Sequence, residues 1–141
     1  HEASRTERPG ADAADLALQR RFAERLEADY AAHHDVAHYA DALAVPAAAL
    51  SRALVAVTGR ATKELIVERV MLEAMRLLRF TDLTIGEIAY KIGYGDQLYF
   101  SRAFKKYAGR APQAYRTEVH GSAGFAHTGG GRSGPQSTTS P

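Results

Sequence analysis

The residues best equipped for chemistry lie in Gln97-Leu98-Tyr99-Phe100-Ser101-Arg102-Ala103-Phe104-Lys105-Lys106-Tyr107. On a helical wheel, Phe100, Ala103, Phe104 and Tyr107 share one face. Leu98, Arg102 and Lys105 point the opposite way, with Tyr99 and Lys106 on one flank and Gln97 and Ser101 on the other. The aromatic face suits burial. What remains is a ridge of amide, guanidinium and ammonium donors. A B-DNA major groove, about 12 Å wide, accepts a helix of this kind, and an arginine can grip a guanine edge there with two hydrogen bonds. Lys105, Lys106 and Arg110 are expected on phosphates, whose charge they would neutralise. A basic amphipathic helix can also be a plain solvated surface helix, so the surrounding elements must decide.

Those elements form a helix-turn-helix. Thr84 and Glu87 have the spacing of a capping box that opens a helix carrying Ile85, Ile88, Ala89 and Ile92 on one face. Gly93 ends it, and Gly93-Tyr94-Gly95 makes a tight turn. Asp96 can cap the next helix, which Gly109 stops, and Pro112 starts a last short turn through Tyr115. Upstream, Leu18, Phe22, Leu26 and Tyr30 recur every four residues, one stripe of a first helix. Asp35 can cap a short second helix with Val36, Tyr39, Ala40 and Leu43. Pro46 suits the first turn of a third, which runs through Leu50, Leu54 and Val57 to Gly59. Thr62 can cap a long helix to about Phe80. Residues 35–59 and 84–109 repeat one plan, and Leu50-Ser51-Arg52-Ala53-Leu54 aligns with Phe100-Ser101-Arg102-Ala103-Phe104. No alternating β-branched run occurs. The expectation is an all-α, homeodomain-like chain of about seven helices. Residues 1–10 read as a flexible lead and 11–60 as a first helix-turn-helix unit. A linker helix follows over 61–80, a second unit over 81–117, and a disordered Gly/Ser/Pro tail over 118–141.

Charge runs along the chain from acidic to basic. Residues 1–41 hold five Lys/Arg against nine Asp/Glu, whereas 84–116 hold six against two. The basic end is the donor ridge, the footprint expected for a polyanion partner. Cysteine is absent, so disulfides and thiolate metal sites are excluded. No apolar run approaches the roughly 20 residues that span a bilayer, and the first residues carry no signal-peptide core. A cytoplasmic location and no membrane are expected. No Ser/His/Asp order, phosphate loop or isolated carboxylate pair suggests an enzyme.

The pattern A..LSRAL....G....ELI.ERV.LEA.RLL...DLTI.EIAY.IGY.D..YFSRAFKK..G..P..YR resembles the DNA-binding domain of AraC/XylS-type bacterial transcription regulators over about residues 15–117. The resemblance implies two helix-turn-helix units whose second helices enter successive major grooves of a promoter operator. It puts base reading on Gln97, Leu98, Tyr99 and Arg102 in the second unit and on Ala48, Ser51 and Arg52 in the first. It also implies an N-terminal sensor domain, absent from this chain, and RNA polymerase as a partner. The chain departs from the pattern in its first unit. Val55, Ala56 and Val57 stand where bases are frequent, and Ala44 where glycine is usual in the turn, so reading there should rest mainly on Arg52.

Several groups have quieter readings. Thr62 and Thr84 are helix caps, and their helix N-termini could also hold phosphates. Arg69 and Glu73 are spaced for an intrahelical pair. His34 and His38 have the spacing of a metal pair but no third ligand, so no metal or cofactor is expected. Asp12, Asp15, Glu24 and Glu27 form an acidic solvated face. The rival to DNA reading is a helical protein-interaction module, which would dock a sensor domain or RNA polymerase through the acidic first helix or the Val55–Val57 stripe.

Overall fold

The computed structural model describes residues 10–128, with side chains described to Gly121. Seven helices and no strand occur among the described residues: α1 (Ala13–Asp29), α2 (Val36–Ala42), α3 (Ala47–Thr58), α4 (Thr62–Phe80), α5 (Ile85–Lys91), α6 (Gln97–Ala108) and α7 (Pro112–Thr128). The all-α expectation holds, as does the unbroken long helix. At about 1.5 Å per residue the 19 residues of α4 span roughly 28 Å.

Local sequence sets most of the helix ends. Asp35, Thr84 and Asp96 each accept a hydrogen bond from a backbone N–H in the first turn of their helix. Gly59 and Gly109 close α3 and α6 in the left-handed conformation that glycine adopts without steric cost. The duplication is geometric as well as textual. Val45 N–H donates to Ala40 O at 3.0 Å, and Tyr94 N–H donates to Ala89 O at 2.8 Å, closing the same turn in both units. The residue ahead of each has positive φ, +59° at Ala44 and +94° at Gly93.

One core runs through both units. Phe22, Tyr39, Leu50 and Leu54 from the first and Ile88, Ile92, Phe100 and Phe104 from the second meet across Ile66, Val70, Met71, Ala74 and Leu78 of α4. The linker helix is therefore the shared wall of two three-helix units. Its continuous burial fixes the spacing between α3 and α6.

Two expectations about ends need correction. Ala61, not Thr62, is the N-cap of α4, and the Glu64 carboxylate accepts the Ala61 N–H at 3.0 Å. Thr62 lies one residue inside the helix and is 2% exposed. At the other end, the short turn from Pro112 is a 17-residue helix, so residues 118–128 of the expected tail are helical. Docking accounts for this. The Arg116 guanidinium donates to the carbonyls of Leu78 (3.0 Å), Leu83 (2.6 Å), Thr81 (3.1 Å) and Leu77 (3.4 Å), gathering acceptors from the last turn of α4 and the loop that follows it. Val119 is buried behind it. Residues 1–9 of the expected lead and 129–141 of the tail lie outside the described residues.

Candidate nucleic-acid interface

The second unit builds its ridge from the inside out. Phe100 and Phe104 are fully buried and continue an aromatic ladder, with ring centroids 5.4 Å apart for Tyr94–Phe100, 5.8 Å for Phe100–Phe104 and 5.6 Å for Phe104–Tyr115. This ladder locks the rotation of α6 about its axis. Gln97, Leu98, Tyr99, Arg102, Lys105 and Lys106 are left exposed, Leu98 at 57% and Tyr99 at 63%. Asp96 is spent on the Tyr99 N–H at 3.1 Å. Arg102, Lys105 and Lys106 form no ion pair among the described residues, so their charge faces outward. Tyr107, assigned by the wheel to the aromatic face, is 37% exposed and sits at the margin.

The first unit presents the equivalent surface of α3 almost bare. Ala48 and Arg52 are exposed and Ser51 is half-buried, at the positions that Leu98, Arg102 and Ser101 hold in α6. Val55 is 45% exposed where α6 carries Lys105. The seven expected base readers thus lie on the second helices of two equivalent units, rigidly joined by α4.

The expected phosphate residues fare unevenly. The Thr84 hydroxyl accepts the Glu87 N–H at 3.0 Å while the Glu87 carboxylate accepts the Thr84 N–H at 2.8 Å, so the capping box is closed in both directions. Thr84 stays exposed, with its hydroxyl hydrogen available to an acceptor. The Thr62 side chain is buried and its hydroxyl has no hydrogen-bond partner, which leaves only the backbone N–H groups of that helix start to meet a phosphate. Arg110 is engaged by Glu118 across the start of α7.

Other expected pairings are replaced. Arg69 does not pair with Glu73. It grips Glu27 of α1 with two hydrogen bonds, at 2.7 and 2.8 Å, and lies over the Tyr30 ring at 4.1 Å. Glu73 pairs with Arg76 at 2.7 Å. Glu27 therefore ties α1 to α4 rather than forming part of a free acidic face, and the Arg69 guanidinium holds its carboxyl below the usual range. Asp12 and Asp15 close a capping box at α1. His34 and His38 turn apart: His34 Nε2 bonds the Ile92 carbonyl at 2.8 Å and His38 Nε2 bonds Asp29 at 2.6 Å. No group of three or more potential ligands that could hold a metal occurs among the described residues. No single helix among them is long and apolar enough to cross a membrane.

Sequence reasoning passed over the junction between the units. The loop after α1 lies against the turn of the second unit: His34 packs on Tyr94 with ring centroids 4.9 Å apart, and Lys63 Nζ donates to the His34 carbonyl at 3.3 Å. A Cβ on Gly93 would lie 2.6 Å from the Ala31 carbonyl oxygen. The close approach is thus a second reason for glycine there, beyond positive φ. Gln97 is also set by a small neighbour, its Oε1 lying where a Cβ on Gly86 would come within 3.0 Å. Glycine at 86 and 93 was the available signal, but a sequence does not show what approaches it.

A family model described as a helix-turn-helix domain matches residues 39–118. The Msm operon regulatory protein of Streptococcus mutans is 39% identical over 62 residues, 44% of this chain and 22% of that protein. The C-terminal domain of AraT, a response regulator from Geobacillus stearothermophilus, superposes with a TM-score of 0.68 at 33% identity, covering 72% of this chain and 84% of that one. The DNA-binding domain of AdpA, a global transcriptional factor solved in complex with a target DNA, superposes with a TM-score of 0.64 at 25% identity, covering 81% of this chain and 97% of that one. The chain spans about a fifth of the length of the Msm regulator.

Proposed function

The chain belongs to the AraC-type helix-turn-helix family, and from that premise we propose that it reads double-stranded DNA in a sequence-specific way through α6 and α3, laid in successive major grooves. It is the DNA-binding domain of a transcription regulator. The observation that carries the reading is the α6 ridge, where Gln97, Leu98, Tyr99, Arg102, Lys105 and Lys106 are exposed and the three cations form no ion pair among the described residues. Affinity would come from phosphate contacts by Lys105, Lys106 and Thr84, and discrimination from Gln97, Leu98, Tyr99 and Arg102 at base edges. Arg52 would dominate the first unit, with Ser51 beside it. Ala48 can offer only apolar contact, for instance to a thymine methyl.

The whole regulator's other partners belong to the same proposal. A sensor domain N-terminal to this one is supported by the greater length of the Msm relative. RNA polymerase is supported by exposed apolar side chains outside the reading helices, Phe80 at 71% and Tyr90 at 82%. A cytoplasmic location and the lack of an enzymatic activity follow from the same reading, since the family comprises transcription regulators.

Selection of bound duplexes from a random pool tests it. The selected site should be sharper in the half facing α6 than in the half facing α3, with the halves about one helical turn apart. Arg102→Ala should cost about 1–3 kcal/mol and relax preference at one base pair. Equal losses on the selected site and all its single-base variants, or a sharper half under α3, would overturn the assignment of readers.

A further inference from the structure

Between the first half of α4 and the inner flank of α6 runs an open groove of about 850 Å³. Arg60, Lys63, Arg102 and Lys106 line it, with the phenol rings of Tyr99 and Tyr107 between them. The one carboxylate lining it, Glu64, is turned to the Ala61 N–H. Arg60 is held by Glu68 outside the groove, at 2.5 Å. Lys63 keeps two of its ammonium hydrogens free of the His34 carbonyl, and Arg102 and Lys106 have no ion pair among the described residues.

The charge of the groove argues for a polyanionic strand. Ile66 and Val70 close its floor at 0% and 1% exposure, while Lys63, Arg102 and Lys106 line it with no ion pair among the described residues. Its walls offer cations for phosphate oxygens, hydroxyl donors, and ring faces for deoxyribose. Position fits too. Half-sites in successive major grooves lie about 34 Å apart, and one helix joins the two reading helices across that interval. Here that helix is α4, and the groove lies along its flank, continuous with Tyr99 and Arg102 of the ridge.

We propose that this groove seats the sugar-phosphate strand between the two half-sites, with Lys63 as its central phosphate contact; the inference rests on the DNA reading above. The test uses the selected duplex carrying single neutral methylphosphonates at each backbone position. Substitution at one or two phosphates between the halves should weaken binding about two- to fivefold, the range of an exposed ion pair. Lys63→Ala should weaken the unmodified duplex by a similar factor, leave base preference unchanged, lower the salt slope by about one, and abolish the effect of those methylphosphonates. Selective binding that tolerates every intervening methylphosphonate, or a Lys63→Ala protein with unaltered affinity and slope, overturns the groove assignment alone. Absence of any selected sequence overturns the DNA reading itself.

Discussion

Gly93 and Ala44 occupy the same position in two copies of one turn, both at positive φ, and glycine should be the more stable residue at each. Replacing Gly93 by Ala forces an L side chain to φ +94°, and the left-handed region costs about 1–2 kcal/mol. The new Cβ would also sit 2.6 Å from the Ala31 carbonyl oxygen and 2.9 Å from His34 Nε2, so backbone must shift. That shift strains the 2.8 Å bond from His34 to the Ile92 carbonyl, worth about 1 kcal/mol. Alanine recovers roughly 0.4–1 kcal/mol by restricting the unfolded chain. The net expectation is a loss of about 1–3 kcal/mol, a sizeable share of the roughly 5–15 kcal/mol of a domain this size. At Ala44 the same strain is already present at φ +59°, and Ala44→Gly should stabilise by about 0.5–1 kcal/mol. Urea unfolding followed by circular dichroism reads both, provided the slope is unchanged. A Gly93→Ala protein within about 0.5 kcal/mol of the parent, or an Ala44→Gly protein that is less stable, would refute the account of the junction.

Arg116→Met keeps the bulk of the side chain but removes the donor from the carbonyls of Leu78, Thr81 and Leu83 at and just after the end of α4; unfolding should cost about 2–3 kcal/mol less, and a change below about 0.5 kcal/mol in chemical denaturation would contradict the docking role of α7. Glu27 and Glu73 are held below the ordinary carboxylate range by the hydrogen bonds of Arg69 and Arg76. Because their folded values are depressed, this stability is present above the ordinary range and lost as pH falls through the folded values. Melting temperature should therefore decline from about pH 5 downward, less steeply in Glu27→Gln, and an identical decline in that variant would refute the tie.

Much of the architecture was legible because it rests on local rules. Asp35, Thr84 and Asp96 cap their helices as spacing predicts, since a short polar side chain meets the first-turn N–H groups without help from elsewhere. Phe22 and Leu26, or Phe100 and Phe104, are buried because helical period aligns them. The misses are tertiary. Arg69 had a nearby partner four residues on, but α1 brings Glu27 from 42 residues away in bidentate geometry, and that geometry wins. The segment from Glu118 looked unstructured by composition, yet Arg116 anchors α7 on the end of α4 and the helix runs on. Thr62 looked like a cap because threonine is a frequent one; the Glu64 spacing points one residue earlier, to Ala61, whose backbone alone suffices. Of the interface, the projecting side chains were readable from the wheel, whereas the groove and the His34 junction exist only once α4 and α6 are packed together.

The central claim is that this domain holds duplex DNA by charge and reads it by shape and base edges. Its most direct test is affinity for the selected duplex and for a scrambled duplex of equal length, each measured across a salt series. The account predicts tighter binding to the selected sequence at every salt concentration, by about a thousandfold or more, and a steep linear fall of log affinity with log salt at about 0.9 per phosphate neutralised. Equal affinity for the two duplexes, or a flat salt response, would contradict it.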